Sequence, residues 1–65
     1  MELTVQVVGG DTHQLFIVDG TYADVLRAVN FHPQEATVLV DGRPVPDDAE
    51  ITHTDVQVLR LIAGG

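Results

Sequence analysis

Asp55-Val-Gln-Val-Leu-Arg-Leu-Ile-Ala-Gly-Gly65 closes the chain. Val56 and Val58 alternate with Gln57, the period-two signal of a half-buried strand, and the apolar run continues so that the spacing predicts a strand over Val56 to Ile62. The two glycines that follow pack nothing and are the costliest residues to order, so they add no stability. Two readings of them stay open on these residues alone: a frayed end, or a chemical purpose. A strand that arrives last must find its place among segments already laid down, so its position decides the fold.

Upstream, Leu3, Val5 and Val7 alternate with Thr4 and Gln6 as a first strand. Gly9-Gly10-Asp11-Thr12 is a turn cluster, and His13 to Val18 returns as a second strand. Leu15-Phe16-Ile17-Val18 is apolar on both faces, so alternation leaves its inward side open; Leu15 and Ile17 are the expected inward pair. Asp19-Gly20 breaks that strand. Thr21-Tyr-Ala-Asp24 fits a capping box, with Thr21 as N-cap and Asp24 at the third helical position. Tyr22, Val25, Leu26 and Val29 form one apolar stripe, and Pro33 stops the helix, giving a span of about Tyr22 to Asn30. Thr37 to Val40 is a third strand, Asp41-Gly42 a hairpin turn, and Arg43-Pro-Val-Pro46 can pair only as a sheet edge because proline lacks the ladder donor. An acidic loop leads through Glu50 to the last strand.

The order is strand, strand, helix, short strands, strand. A final strand reached after a helical crossover fits best beside the first strand in the sheet centre, where Val56, Val58 and Leu61 would share the core with Val5. That is the α+β β-grasp arrangement: a mixed sheet of four to five strands with one helix packed across it.

Sixty-five residues at 45% hydrophobic content make one small core; domains of about 55–65 residues do fold alone. Cysteine is absent, which removes disulfides, thiolate metal sites and a β-grasp iron–sulfur centre together, and points to a reducing, cytoplasmic setting. No apolar stretch approaches the roughly 20 residues of a membrane helix, and Met1-Glu-Leu-Thr has no basic region of the kind that opens a signal peptide. Ten acidic residues against three arginines and no lysine give a formal charge of −7. Such a surface repels phosphate backbones, so neither direct nucleic-acid binding nor membrane association is expected. The acidity fits a salt-rich cytoplasm, where screening makes it tolerable; codon bias and plain solubility remain the alternative.

His13, His32 and His53 lie about 20 residues apart and match no zinc spacing, so no metal site and no resident cofactor are expected; His32 is placed to cap helix C-terminal carbonyls. Asp47, Asp48 and Glu50 lack the ligand pattern of a calcium loop and read as a solvated acidic face. Serine is absent, and no His–acid pair has a nucleophile beside it, which excludes a hydrolase triad; no catalytic residue and no enzyme activity are assigned. Leu39, if Val38 and Val40 face inward, is an exposed apolar residue on the sheet. It either joins Leu59 in a partner-binding patch or packs at the edge.

Val58-Leu-Arg-Leu-Ile-Ala-Gly-Gly65 resembles the VLRL-x-GG end of ubiquitin-like proteins. Val38-Leu-Val-Asp-Gly-Arg-Pro-Val45 followed by Asp47-Asp-Ala-Glu-Ile51 sits where those proteins carry a hairpin and an acidic loop. Together with Thr21-Tyr-Ala-Asp-Val-Leu-Arg-Ala-Val29 and Ala36-Thr-Val-Leu-Val-Asp-Gly-Arg-Pro-Val-Pro46, the whole chain is similar to the small archaeal modifier proteins of haloarchaea, of the type ending Leu-Arg-Leu-Ile-x-Gly-Gly.

The resemblance implies a modifier whose Gly65 carboxylate is adenylated with ATP by an E1-like enzyme and joined to a target lysine as an isopeptide. It also implies sulfur carriage, in which the adenylate becomes a thiocarboxylate for tRNA thiolation, with a sulfurtransferase or tRNA-thiolation enzyme as a further partner. Dedicated sulfur carriers for molybdopterin or thiamine share the tail. In this reading residues 1–60 are a monomeric β-grasp domain and 61–65 a flexible tail, with Arg60, Leu61 and Gly64 serving tail recognition. The chemistry fits: residues without Cβ let enzyme walls close in, and Leu61 to Gly65 span at most ~17 Å at roughly 3.3–3.6 Å each, enough to thread an enzyme. No processing protease is expected, since nothing follows Gly65. Ala63 stands where many ubiquitin-like tails carry a basic residue, leaving Arg60 the one cation near the end. Without lysine the chain has no side-chain amine on which to build chains of itself. The reading from a different class is a non-covalent β-grasp interaction module with a passive tail.

Overall fold

The computed structural model describes residues 1–61. Its elements are β1 (Glu2–Val7), β2 (Thr12–Phe16), α1 (Tyr22–Ala28), β3 (Ala36–Val40), β4 (Arg43–Val45) and β5 (Asp55–Arg60). They form one five-stranded sheet in the order β2-β1-β5-β3-β4. β5 does lie beside β1, parallel to it, with Val5 opposite Val56 and Val7 opposite Val58. On its other side it pairs antiparallel with β3, Val38 opposite Val58. Parallel neighbours need a long crossover, and here α1 is part of it. This is the mixed-sheet β-grasp.

Alternation decides which face of the sheet is dry. Leu3, Val5, Ala36, Val38, Val40, Val56 and Val58 are buried, and the helix stripe of Tyr22, Val25, Leu26 and Val29 meets them. Leu15 and Ile17 pack against this core half-buried, while Phe16 and Val18 are 74% and 82% exposed, so the expected inward pair is the observed one. Asp41 and Gly42 both take positive φ, 54° and 78°, the geometry that a two-residue hairpin matched to strand twist requires.

The helix starts at Tyr22 and ends two residues before the expected Asn30. The stop is not Pro33 but Asn30 itself, in the left-handed region at φ 67°. Phe31 N–H then donates to the Leu26 carbonyl at 2.8 Å and Asn30 N–H to that of Arg27 at 3.0 Å, the paired closure of a Schellman motif. His32 does not cap the helix: its Nδ1 accepts from Gln34 N–H at 3.1 Å, closing the next turn instead. β2 ends at Phe16 rather than Val18, because Val18 and Asp19 run past the start of β1.

At the helix start Asp24 Oδ2 accepts Thr21 N–H at 2.9 Å, as the capping box predicts; the Thr21 hydroxyl makes its contact to that same oxygen, at 3.4 Å. The free N–H groups of the first turn are met from elsewhere. Ala49 and Asp47 carbonyls accept from Tyr22 and Ala23 at 3.2 and 2.8 Å, so the acidic loop closes over the helix end. Ile51 anchors that loop in the core, and the buried Tyr22 hydroxyl accepts Thr52 N–H at 3.1 Å.

β5 stops at Arg60, short of the expected Ile62. Leu61 is 58% exposed and does not join the core, because it has the outward parity of Leu59, opposite to that of Val56 and Val58. Its N–H still donates to the Glu35 carbonyl at 2.9 Å. The expectations for Gly64 and Gly65 lie outside the described residues. No helix among the described residues is long and apolar enough to cross a membrane.

Candidate functional site

The end of the central strand gathers most of the residues singled out from the sequence. β5 alternates Val56 and Val58 inward with Asp55, Gln57 and Leu59 outward. Leu59 lies opposite Thr37 on β3, and Leu39 opposite Gln57. Leu39 and Leu59 are therefore diagonal neighbours on the open face, one half-buried and the other 37% exposed. At such spacing long side chains reach each other. Val8, 47% exposed, donates its N–H to the Val58 carbonyl at 2.9 Å, which sets it beside Leu59. Sequence reading passed over Val8 because it follows the last alternating residue of β1; the doubled Val7-Val8 was the available signal.

Arg60 has inward parity, beyond the reach of the core. Its guanidinium carbon lies 5.3 Å from the centroid of the Phe31 ring, within the range at which a cation is attracted to an aromatic face. Among the described residues the ion pair present is Arg27 with Asp24, at 3.5 Å and well exposed, so Arg60 is oriented by an aromatic face and not by a carboxylate. Nothing in the sequence flagged Phe31 for this. It reaches Arg60 only because the Schellman turn swings it off the helix axis. Val7, Val8, Gly9, Gly10, Phe31 and Arg60 line a groove of about 240 Å³ at this end of the molecule.

A second, shallower groove of about 390 Å³ runs over the open face between Thr4, Gln6, Leu39, Asp41 and Gln57. Its lining mixes the hydroxyl of Thr4 and the amides of Gln6 and Gln57 with the carboxylates of Asp41 and Asp55 and the apolar Leu39 and Val56. The three histidines stay apart, and among the described residues no group of three His, Asp or Glu side chains is placed to hold a metal ion. Asp47, Asp48 and Glu50 lie in the loop over the helix start, away from Arg60.

The pattern of the family described as Small archaeal modifier protein 2 matches residues 1–62. Small archaeal modifier protein 2 of Haloferax volcanii is 56% identical over 66 residues, covering 100% of each chain. An uncharacterized protein of Archaeoglobus fulgidus is 33% identical over 67 residues, again covering 100% of each. The crystal structure of the H. volcanii protein superposes with a TM-score of 0.75 at 55% identity over 97% of both chains. A family pattern over residues 1–62, a relative 56% identical along the whole chain and a superposing crystal structure agree: the chain belongs to the small archaeal modifier protein 2 family.

Proposed function

We propose that the chain is a covalent modifier whose working group is the Gly65 carboxylate. An E1-like enzyme adenylates it: a carboxylate oxygen attacks the α-phosphorus of ATP and pyrophosphate leaves. A lysine amine of a target then attacks the acyl carbon, AMP departs, and the amine loses a proton as the isopeptide forms. For sulfur carriage, the persulfide of a sulfurtransferase attacks the same acyl carbon, AMP departs, and a second thiol reduces the resulting acyl disulfide to the thiocarboxylate used for tRNA thiolation. The chain itself supplies no catalyst and no cofactor; ATP belongs to the activating enzyme. It works as a monomer in the cytoplasm, its residues 1–60 serving as the handle and 61–65 as the reactive tail.

One observation carries this reading. β5 occupies the sheet centre and its ladder extends through Leu61, so the route to Gly64 and Gly65 begins at a braced strand, beside Leu59, Val8 and the stacked Arg60. A rigid exit is what a partner needs if it is to grip the body and receive the last residues in register. Leu39 and Leu59 are the contact we assign to that grip, and Arg60, Leu61 and Gly64 the recognition of the tail.

Deletion of Gly64 and Gly65 tests it. In native cells the truncated, epitope-tagged chain should form no covalent products while retaining cooperative unfolding. Trypsin cuts after Arg60, so conjugates of the intact chain should leave a Leu-Ile-Ala-Gly-Gly branch on target lysines. Sulfur carriage should appear as a sulfur-for-oxygen mass shift of the free chain. Conjugates that persist without the two glycines would remove the proposal and favour the passive-tail interaction module.

A further inference from the structure

The two edges of the sheet are built differently. In the β3–β4 hairpin Arg43 and Val40 flank the two-residue turn as a bonded pair, so Pro44 and Pro46 fall at the outward positions of the β4 edge. Neither has an N–H, and that edge offers an incoming strand no donor. The β2 edge is the reverse. Ile17 exchanges both backbone bonds with Met1, at 2.9 and 2.8 Å, and Asp11 accepts from Val7 at 3.0 Å. By alternation the odd residues face β1, and Thr12, Gln14 and Phe16 turn their N–H and C=O groups outward. Among the described residues no strand pairs with that side. Between Thr12 and Val18 there is no proline, lysine or arginine, residues that commonly block an open edge. Phe16 and Val18 instead stand exposed two positions apart.

We propose that the β2 edge docks an extended segment of a partner protein, which adds to the sheet as a further strand and carries apolar side chains flanked by lysine or arginine. The unpaired ladder specifies an extended backbone. Phe16 and Val18 specify apolar side chains beside it. Charge specifies the flanks: Glu2 lies opposite Phe16, Asp11 and Asp19 bracket the strand, and β2 carries no lysine or arginine. A second copy fits worse. It would bring −7 against −7 across five-residue edges, short of the roughly 1,200 Å² that stable interfaces bury. Phe16 and Val18 also lie at the end of the sheet away from Arg60, since β2 runs antiparallel to β1 and β1 parallel to β5. This site is thus separate from the tail exit and does not depend on the chemistry of Gly65.

The probe is a synthetic Lys-Val-Lys-Val-Lys-Val-Lys peptide titrated into the ¹⁵N-labelled full chain. Saturable shifts should centre on the amides of Thr12, Gln14 and Phe16, with Hα–Hα contacts across the new pair. Binding should weaken as salt rises and the Debye length falls from about 10 to about 3 Å. Phe16→Ser, at a site exposed enough to leave the fold intact, should lower affinity about ten-fold. A fully N-methylated peptide of the same sequence should lose binding, because it cannot complete the ladder. Equal affinity for that peptide would reduce the effect to charge attraction and overturn the proposal. So would shifts centred on Leu39 and Leu59, or self-association without peptide that strengthens with salt, which would give the edge to a second copy.

Discussion

Asn30 holds φ at 67°, a conformation that costs an ordinary L-residue roughly 1–2 kcal/mol; both closing bonds of the Schellman turn depend on it. Asn30→Val should lose about that much in urea unfolding, while Asn30→Gly should be neutral or slightly stabilising. A Val variant as stable as the parent would return the helix stop to Pro33. Asn is common in many contexts and Pro is unambiguous, which is why sequence reading placed the boundary by the louder residue. In the core, Val5 and Val58 are fully buried, and each truncation to Ala opens a cavity worth about 1–3 kcal/mol. Their inward facing was legible from alternation. The register was not, since pairing Val5 with Val56 rather than Val58 depends on the length of the crossover and not on either strand. Missing residues speak too. With no lysine in the chain, conjugates should contain single units on target lysines. The Met1 amine, donating to the Ile17 carbonyl at 2.8 Å, is the one amine left to accept a second copy, and it must first lose a proton. Peptide mapping of purified conjugates checks this: a branch joining two copies at any residue other than Met1 would need a different chemistry.

For the elements, the starts were easier to read than the ends. The capping box was written in Thr21 and Asp24 and is formed. The other half of that cap, carbonyls of Asp47 and Ala49, comes from a loop distant in sequence and had no local signal. Gly20 ties the two together: a Cβ there would lie 2.6 Å from Asp24 Oδ2, the oxygen that accepts Thr21 N–H. Gly20→Ala should therefore push the carboxylate off its donor and cost about 1 kcal/mol, the usual worth of a cap. Asp24→Ala should cost the same, and the double variant little more, because both remove one bond. Additive losses in thermal unfolding would show that Gly20 matters for another reason. The candidate site was legible in the same uneven way. Leu39 and Leu59 followed from counting strand faces, whereas Val8 and Phe31 entered through turns whose geometry no periodicity reports.

Across the whole molecule, acids occupy both ends of the sheet, Asp11 and Glu35 standing beside the ends of β1 and β5 where Arg60 lies. Glu2 and Asp55 open the two parallel central strands, and Asp41 sits at the turn after β3; all three lie at the end opposite Arg60. The longest dimension is 35 Å. A Debye length of about 30 Å at 0.01 M lets nearly every pair of these acids repel, and one of about 3 Å at 1 M lets almost none do so. The melting temperature should accordingly climb between those salt concentrations; a flat profile would favour codon bias and solubility as the origin of the acidity. The central place of β5 was legible because a last strand after a helical crossover has few other positions open to it, and it has a mechanical consequence. β1 and β5 run the same way side by side, so a pull on the tail resisted at the N-terminal end loads their bonds along the strands, in shear, and they must fail together. Tension across the open end of the β3–β4 hairpin, between residues 36 and 45, would part its bonds one after another. Single-molecule stretching should find the first direction strong and the second weak, which makes this small body a clamp along the line in which a tethered cargo would tug on it.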